Sequence, residues 1–349
     1  MAKQGNKGWL APVAAVVVLL GVVGVVVVMG LGGGGGDEAG EARLAASDAE
    51  ARLEIDPVLE SASYLIRTTE IDKAALLLEK LLEKYPDEPS GHLLMAQVCM
   101  YREQSEAALD HFEKSLALDP AQDQVHHLVG TMLARNGDEA GAERHYRDAM
   151  RLNPMEPDYP LYLGRLLLAQ NELDEAQIVL LTAARVDSNK PEVYSVLAGV
   201  SEQRGKLDMA IGQITRAIEL AGEEDRKYLA YVLQKAVYLR RDAEPRAAIE
   251  LVDGLAAKYQ MHPEVVRHRA AGYQMLGEHE TAGRAWAALF ALDQSNVTAA
   301  VETGLCFAKA GDAEQAKQWL SIAEHVNREE PLIGALVKAI ENLESGGTG

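Results

Sequence analysis

Apolar residues form one continuous run near the N-terminus, at residues 9–31. From residue 55 onward they recur at helical spacing instead. Residues 9–31 carry no charge, and a helix of that length would cover roughly 34 Å, which is enough for a bilayer core of about 30 Å. Lys3 and Lys7 precede the run and Asp37 follows it, so the charge bias predicts a cytoplasmic N-terminus at residues 1–8. A cleaved signal peptide is the alternative, but its apolar region would be shorter. We therefore expect a single transmembrane helix.

From residue 55 onward the apolar pattern repeats about every 34 residues. Helix stops fall at Pro86, Pro120 and Pro154, and the spacing continues, with one interval of 38, to Arg328. The residue twelve positions before each stop is always alanine: Ala74, Ala108, Ala142, Ala176, Ala210, Ala248, Ala282 and Ala316. The residue twenty-four positions before is always alanine or glycine: Ala62, Ala96, Gly130, Gly164, Ala198, Ala236, Ala270 and Gly304. Two columns of small residues at this period predict antiparallel helix pairs that cross closely and stack.

A third column holds large residues four positions after each alanine of the first column. They are Leu78, Phe112, Tyr146, Leu180, Ile214, Val252, Trp286 and Leu320. Together the three columns resemble the tetratricopeptide repeat over roughly residues 55–330. The resemblance implies an all-α, right-handed solenoid of about eight helix pairs with a C-terminal capping helix. Between the two helices of a pair, Gly137, Gly205, Gly277, Gly311 and Asn171 share one repeat position, where we expect left-handed backbone.

The same spacing predicts the boundaries of the parts. A flexible Gly-rich and acidic linker is expected at 32–54, a capping helix at 331–343 and a disordered tail at 344–349. The eight repeats are expected at 55–88, 89–122, 123–156, 157–190, 191–224, 225–262, 263–296 and 297–330. The interval of 38 residues places an excess of four residues near 222–227. Because four residues make about one helical turn, we expect the first helix of the sixth repeat to start one turn earlier.

Composition narrows the function. The formal net charge is −19 and the sequence pI about 4.9, which opposes nucleic-acid binding. The chain has two cysteines, Cys99 and Cys306, which read as buried free thiols. No nucleophile elbow, phosphate-binding loop or H-E-x-x-H motif occurs, so we expect no enzyme and no cofactor.

Histidines repeat from one repeat to the next and raise the question of a metal site. His92 and His126 share one repeat position, and His111 and His145 share another. A transition-metal ladder and half-buried packing are the two interpretations. Since no cysteine or carboxylate completes a coordination pattern, packing is favoured and no metal is expected.

The resemblance also implies a concave groove lined by the first helix of each repeat. The family's groove positions carry mainly basic or aromatic residues here: Arg67, Tyr101, His127, Arg135, Arg165, Arg240, Arg241, Arg267 and Lys309. Acidic residues stand mostly at the groove edge: Asp56, Asp158, Glu192, Glu202 and Glu264. Arginines along such a groove favour an acidic segment of a protein or peptide partner. The alternative is that these arginines are ordinary exposed residues that neutralise neighbouring acids.

The functional prediction is a membrane-anchored, non-enzymatic scaffold for protein–protein interaction. It would serve assembly of an envelope or membrane complex in secretion, pilus formation, polysaccharide export or cytochrome maturation. The expected location is the inner membrane, with one pass and the repeats on the periplasmic or extracytoplasmic side. A chaperone-like holder of exported clients and a regulatory subunit of a membrane enzyme are the alternatives, and self-association stays open.

Overall fold

The structure is a computed structural model that describes the backbone of residues 37–345 and the side chains from residue 47 onward. The predicted transmembrane helix at 9–31 and the Gly-rich start of the linker lie outside the described residues, as do the last four residues of the tail. The described part contains seventeen α-helices and one short 3-10 helix, without any β-strand. None of those helices is long and apolar enough to cross a membrane. The fold is therefore all-α, as predicted.

The chain divides into two compact units at Pro120. The N-terminal unit holds two helix pairs. Its helices are α1 (Asp37–Arg67), α2 (Ile71–Lys84), α3 (Pro89–Tyr101) and α4 (Ser105–Leu118). Arg52 on α1 forms an ion pair at 2.9 Å with the buried Glu88, whose side chain also accepts from the Ser90 amide at the start of α3. That pairing ties the first helix to the start of the third.

The C-terminal unit, from Ala121, contains six helix pairs and a last single helix. The first three pairs are α5 (Asp123–Arg135) with α6 (Glu139–Leu152), α7 (Asp158–Ala169) with α8 (Leu173–Val186), and α9 (Pro191–Gln203) with α10 (Leu207–Ala221). The next three are α11 (Tyr228–Arg241) with α12 (Pro245–Asp253), α13 (Pro263–Met275) with α14 (His279–Leu292), and α15 (Val297–Lys309) with α16 (Ala313–Val326). The last helix is α17 (Ile333–Glu344). Each predicted repeat range from 89–122 onward encloses one helix pair, whereas the first range, 55–88, contains α2 and only the C-terminal part of α1.

The small-residue columns lie where the helices cross. All eight alanines of the first column are at most 1 % exposed. In the second column, a Cβ built on Gly164 would lie 2.5 Å from Cγ of Leu180, and one built on Gly130 would lie 2.9 Å from Cδ1 of Tyr146. The large residues fill the space beside these contacts, and Leu180 is fully buried. The repeat pattern therefore encodes close helix crossing inside each pair.

The end of the chain covers the last pair. Helix α17 buries Ile333, Leu336 and Ile340 against α15 and α16. It occupies the range in which the sequence predicts a capping helix. A repeat array exposes the apolar face of its final pair unless another element covers it, and α17 covers that face.

Left-handed backbone occurs at one position in every pair, between its two helices. Gly137, Gly205, Gly277, Gly311 and Asn171 all have positive φ, as predicted from the sequence. The other three pairs place Thr69, Glu103 and Ala243 in the same conformation, with φ of 61°, 59° and 59°. Since a Cβ atom disfavours this conformation, these three turns are strained and the glycine turns are not.

Glycine at the strained turns is expected to stabilise the protein. Ala243 has a positive φ, which glycine adopts without the steric cost of a Cβ atom. Ala243→Gly should therefore raise the free energy of unfolding by about 1 kcal/mol. Thr69→Gly and Glu103→Gly should act in the same direction. Gly205→Ala, at the equivalent turn of another pair, is the matched control and should lower it by a similar amount. Urea unfolding followed by circular dichroism measures both, and a gain in stability from Gly205→Ala would contradict the assignment of strain.

Two predicted boundaries differ from the structure. The predicted linker reached residue 54, but α1 already begins at Asp37; the segment is rich in alanine, glutamate and arginine, which favour helix once the glycine run has ended. The excess of four residues does not lengthen the start of α11 by a turn. Compared with the preceding pair, α10 and α11 are each one residue longer, and the connection between them, residues 222–227, is two residues longer. Gly222, with φ of 65°, ends α10 and starts a run of turns.

The second helix of the sixth pair is also short. Helix α12 ends at Asp253 and a 3-10 turn follows at Ala257–Tyr259. The Gln260 amide donates to the carbonyl oxygens of Asp253 and Leu255 at 3.1 and 2.7 Å, and Arg269 donates to the Asp253 carboxylate at 2.6 Å. These contacts satisfy backbone groups that the lost helical turn leaves open.

Candidate binding face

An open cleft lies between α5 and α7, the first helices of two successive pairs. It has a volume of about 450 Å³ and is lined by Thr131, Ala134, Arg135, Tyr146, Tyr162, Arg165 and Leu166. Arg135 ends α5 and Arg165 lies in the middle of α7, so each first helix contributes one guanidinium. Both arginine side chains are exposed. The structure thus brings together two of the residues predicted from the groove positions.

Aromatic rings form the floor of this α5–α7 cleft. The guanidinium carbon of Arg165 lies 5.6 Å from the centre of the Tyr162 ring, within cation–π range. His127, a third predicted residue, packs beside that ring at a centroid distance of 4.6 Å in an edge-on arrangement. It also contacts the rings of Tyr146 and Tyr159 at 5.8 and 5.3 Å. The floor is an aromatic cluster in which Tyr146 and Tyr159 are buried and His127 and Tyr162 are half-buried.

Hydrogen bonds hold the floor in place. The Tyr146 hydroxyl donates to Oγ1 of Thr131 at 3.2 Å, and the Thr131 hydroxyl donates to the His127 carbonyl at 3.0 Å. Beside them the Tyr159 hydroxyl donates to Oδ2 of Asp123 at 2.7 Å. The hydroxyl groups of Tyr146 and Tyr159 are therefore satisfied inside the protein.

The charge of the cleft comes from its arginines alone. Burial raises the pKa of the Tyr146 hydroxyl and lowers the pKa of His127, so both rings are neutral at pH 7. Arg135 and Arg165 form no ion pair with another described residue. The cleft therefore offers two uncompensated cations above a neutral aromatic floor, an arrangement suited to a carboxylate that follows or precedes an apolar group.

Other predicted groove residues are neutralised by acids of the same face. Arg241 pairs with Glu202, and Arg267 pairs with Glu264. Two further groove-edge acids are also paired: Asp158 binds Lys190 at 2.6 Å, and Glu192 binds Lys227 at 2.7 Å. For Arg241 and Arg267 the structure therefore favours the alternative interpretation, in which an arginine neutralises a neighbouring acid.

Arg240 differs from its neighbour Arg241. Its side chain is half-buried, and its Nε has no hydrogen-bond partner within the described part of the chain. Burial, with a further contribution from Arg267, lowers its pKa. Arg240 therefore carries a charge that no acid compensates.

The remaining predicted residues lie at helix ends. Lys309 is exposed at the end of α15 in the C-terminal unit. In the N-terminal unit, Arg67 is exposed at the end of α1, and Tyr101 is 58 % exposed at the end of α3. Lys309 belongs to the same unit as the α5–α7 cleft but is not one of the residues that line it.

The repeated histidines form pairs of rings. Nδ1 of His92 lies 3.0 Å from Nδ1 of His111, and Nδ1 of His126 lies 3.1 Å from Nδ1 of His145. Such a contact requires one ring to donate and the other to accept. Each pair of rings is therefore joined by a hydrogen bond. Among the described residues, no cluster of three or more histidine, cysteine or acidic side chains can hold a metal ion.

Sequence reasoning missed part of the cleft. Tyr162 and Leu166 do not occupy the groove positions taken from the family resemblance, and Tyr146 stands in the column of large core residues. Thr131 shares its repeat position with Arg165, but the sequence did not single it out. A signal was nevertheless present for one of them. Tyr162 stands three residues before Arg165 on the same helix, which places the ring beside the guanidinium.

Two family models match parts of the chain. Residues 92–221 match the family model "Cilia and flagella-associated protein 70 middle TPR-like domain", and residues 59–123 match the tetratricopeptide repeat model. Over 130 residues the chain is 27 % identical to the mouse interferon-induced protein with tetratricopeptide repeats 3; the match covers 36 % of this chain and 32 % of that protein. Over 81 residues it is 35 % identical to WspC of Pseudomonas putida, a probable biofilm formation methyltransferase. That match covers 23 % of this chain and 19 % of WspC. The chain spans about a third or less of these two relatives.

Solved structures show the same fold. The C-terminal part of a repeat-containing protein of this type from Cytophaga hutchinsonii superposes with a TM-score of 0.56 at 18 % identity, over 70 % of this chain and 98 % of that one. PilW, described as a widely conserved type IV pilus biogenesis factor, superposes with a TM-score of 0.51 at 16 % identity, over 62 % of this chain and 96 % of that one. At such low identity the likeness concerns the fold alone.

Proposed function

We propose that this chain, which is a tetratricopeptide repeat protein by its helix pairs and family matches, binds an acidic segment of a protein or peptide partner in the α5–α7 cleft. The observation that carries the proposal is the pair of arginines, Arg135 and Arg165, that flank the aromatic floor without an internal acidic partner. A carboxylate of the partner would pair with both guanidinium groups. An adjacent apolar side chain would pack on Tyr162, where aromatic area is exposed at low entropic cost.

The surrounding structure supports a binding role rather than catalysis. The cleft contains no nucleophile paired with a base, and its titratable rings are held neutral by burial. The arginines are placed by two rigid helices, and the floor by internal hydrogen bonds. A preformed cleft of this kind loses little entropy when it binds a peptide. We therefore assign the protein a non-enzymatic scaffold function.

Charge reversal in the cleft is expected to abolish this binding. In the double variant Arg135→Glu/Arg165→Glu, affinity for acidic peptides should fall at least about a hundredfold, because two attractive contacts become repulsive. The matched control is Arg144→Glu/Arg185→Glu, which makes the same charge change at two exposed arginines of the second helices α6 and α8. Binding is measured by panning a displayed random peptide library on the full chain and titrating the enriched peptides.

Two outcomes would contradict the proposal. One is enrichment of peptides without Asp, Glu or a terminal carboxylate. The other is an equal loss of affinity in both double variants, which would mean that net charge rather than the cleft controls binding. Unchanged circular dichroism of the variants shows that the fold is intact, since the four arginines are exposed.

We further propose that residues 9–31 anchor the protein in the inner membrane, with the repeats on the periplasmic side. The support is the uncharged run of residues and the lysines before it. A scaffold held at the membrane would collect its partner for an envelope complex, such as those of secretion, pilus assembly, polysaccharide export or cytochrome maturation. An alkaline phosphatase fused to the C-terminus should be active in the membrane fraction. An active cytoplasmic reporter at the same position would reject this topology.

A further inference from the structure

Besides the α5–α7 cleft, the first helices of the C-terminal unit carry a half-buried guanidinium without an acceptor. The side chain of Arg240 on α11 forms no hydrogen bond or ion pair with another described residue, and its Nε is closed off from solvent. Burying a charged group costs free energy unless an opposite charge or an acceptor compensates it. The neighbouring cations have their acids, since Arg241 pairs with Glu202 and Arg267 with Glu264. Arg240 is left with an unsatisfied donor.

His268, on the next first helix, has an unsatisfied ring nitrogen and lies within the electrostatic influence of Arg240. His268 on α13 is only 6 % exposed, and its Nδ1 has no partner within the described residues. Helices α11 and α13 are the first helices of successive pairs and pack against each other. Arg240 and Arg267 both repel a proton on this imidazole, and Glu264 attracts one. Two packed helices therefore carry two buried polar atoms without partners, Nε of Arg240 and Nδ1 of His268. The positive charges of Arg240 and Arg267 act on the histidine.

The chemistry of the two side chains identifies what would satisfy them. A guanidinium presents N–H donors that match the oxygens of a carboxylate or a phosphate group. Bound there, the negative charge would also cancel the repulsion by Arg240 and Arg267, which adds to the effect of burial in keeping the imidazole neutral. The His268 ring would then take up a proton, and its Nδ1–H would find an acceptor in the same anion.

We propose that Arg240 and His268 form an oxyanion-binding site on α11 and α13, which takes up a carboxylate or a phosphate group together with a proton. The site is separate from the α5–α7 cleft, and the proposal does not depend on the function assigned to that cleft. In the free protein burial lowers the pKa of His268 to about 4. Because binding and protonation favour each other, the affinity for an anion rises as the pH falls below the pKa of the bound form.

The test uses the full chain in detergent and two anions that stay ionised throughout the titration. Sulfate stands in for the tetrahedral phosphate group, and trifluoroacetate for the carboxylate. The pKa of His268 is read from its ring signals by NMR, assigned by comparison with His268→Gln. We expect the better-fitting anion to raise this pKa by at least one pH unit, which corresponds to a tenfold tighter binding of the protonated form. The anion with the larger effect identifies the class of ligand.

The matched variants are Arg240→Gln and Arg241→Gln, which remove the same charge from adjacent residues. Arg240→Gln should abolish the effect of the anion, because the unpaired guanidinium is lost, and Arg241→Gln should retain it. The proposal is overturned if neither anion moves the pKa of His268. It is also overturned if both variants lose the effect equally, since general screening of charge would then explain it.

Discussion

Gly164→Ala is expected to destabilise the C-terminal unit by about 1–3 kcal/mol, as overpacking of a closed core does. A Cβ at this position would lie 2.5 Å from Cγ and 2.6 Å from Cδ2 of Leu180, and Leu180 is fully buried. The leucine has little room to move, because Leu163, Leu167 and Val193 belong to the same core cluster. The second column of small residues would then be a requirement of the fold. Urea unfolding of the full chain measures the change.

Two further variants separate this explanation from the general cost of losing a glycine. Gly212→Ala makes the same chemical change in α10, where a Cβ meets nothing within 4 Å, and should stabilise the protein by up to about 1 kcal/mol. Leu180→Ala alone should cost about 2–5 kcal/mol, through the cavity it leaves. With Leu180→Ala present, Gly164→Ala should cost much less, because the clash has gone. Additive losses in the double variant would contradict the crossing contact.

Acid is expected to weaken the C-terminal unit well above the pH at which carboxylates titrate. Burial lowers the pKa of His268 to about 4, while an unfolded histidine titrates near 6.5. As the pH falls through 6.5, His268 binds a proton in the unfolded chain but stays neutral in the folded chain. The contribution of the neutral His268 to the free energy of unfolding is therefore fully present above about pH 6.5 and is lost between about pH 6.5 and 4. The loss for His268 is at most about 3 kcal/mol. Burial lowers the pKa of His145 in the same unit as well, which adds loss in the same direction.

The slope of stability against pH tests this claim. His268→Gln should reduce the slope in that interval, because the buried imidazole is gone. His325→Gln is the matched control, since His325 is exposed in the last turn of α16, and it should leave the slope unchanged. If wild type and His268→Gln lose stability equally between pH 7 and pH 5, the buried histidine does not cause the acid sensitivity.

The repetition in the sequence made the helix pairs predictable. Columns such as Ala142 and Gly164 recur because each pair needs the same close crossing, and Gly205 marks the turn because glycine suits left-handed backbone. The same turn at Ala243 and Glu103 carries no such mark. At these two positions the packing of the helix pair enforces positive φ on residues that disfavour it. The left-handed turn is therefore indicated by the repeat period and not by the residue type.

Local sequence did not determine where the excess residues near Gly222 would go. Four residues would lengthen a helix by one turn, but Gly222 ends α10 with positive φ, and the Asp225 carboxylate accepts from the Lys227 amide at 2.6 Å to form a turn. In the predicted linker, a helix formed where the sequence had suggested a flexible segment. Its glycines suggested flexibility, while the Ala-, Glu- and Arg-rich residues from Asp37 onward continue α1.

The candidate cleft was predicted only in outline. Groove positions identified Arg135, Arg165 and His127, but the position alone does not show whether a cation is already paired. Arg241 is neutralised by Glu202, which stands 39 residues earlier, and such a long-range contact depends on how successive pairs stack. The tyrosine floor was missed because Tyr146 was assigned to the core, where it also belongs.

Site-specific photocrosslinking in native membranes tests most directly whether the first helices form the binding face. A photoreactive residue at Tyr162, on the floor of the α5–α7 cleft, should give a discrete adduct with the partner, and the adduct should disappear in Arg135→Glu/Arg165→Glu. The same residue at Ile178, which is 66 % exposed on the second helix α8, should give none. An adduct at Ile178 that survives the charge reversal, with none at Tyr162, would place the partner on the opposite face and contradict the account.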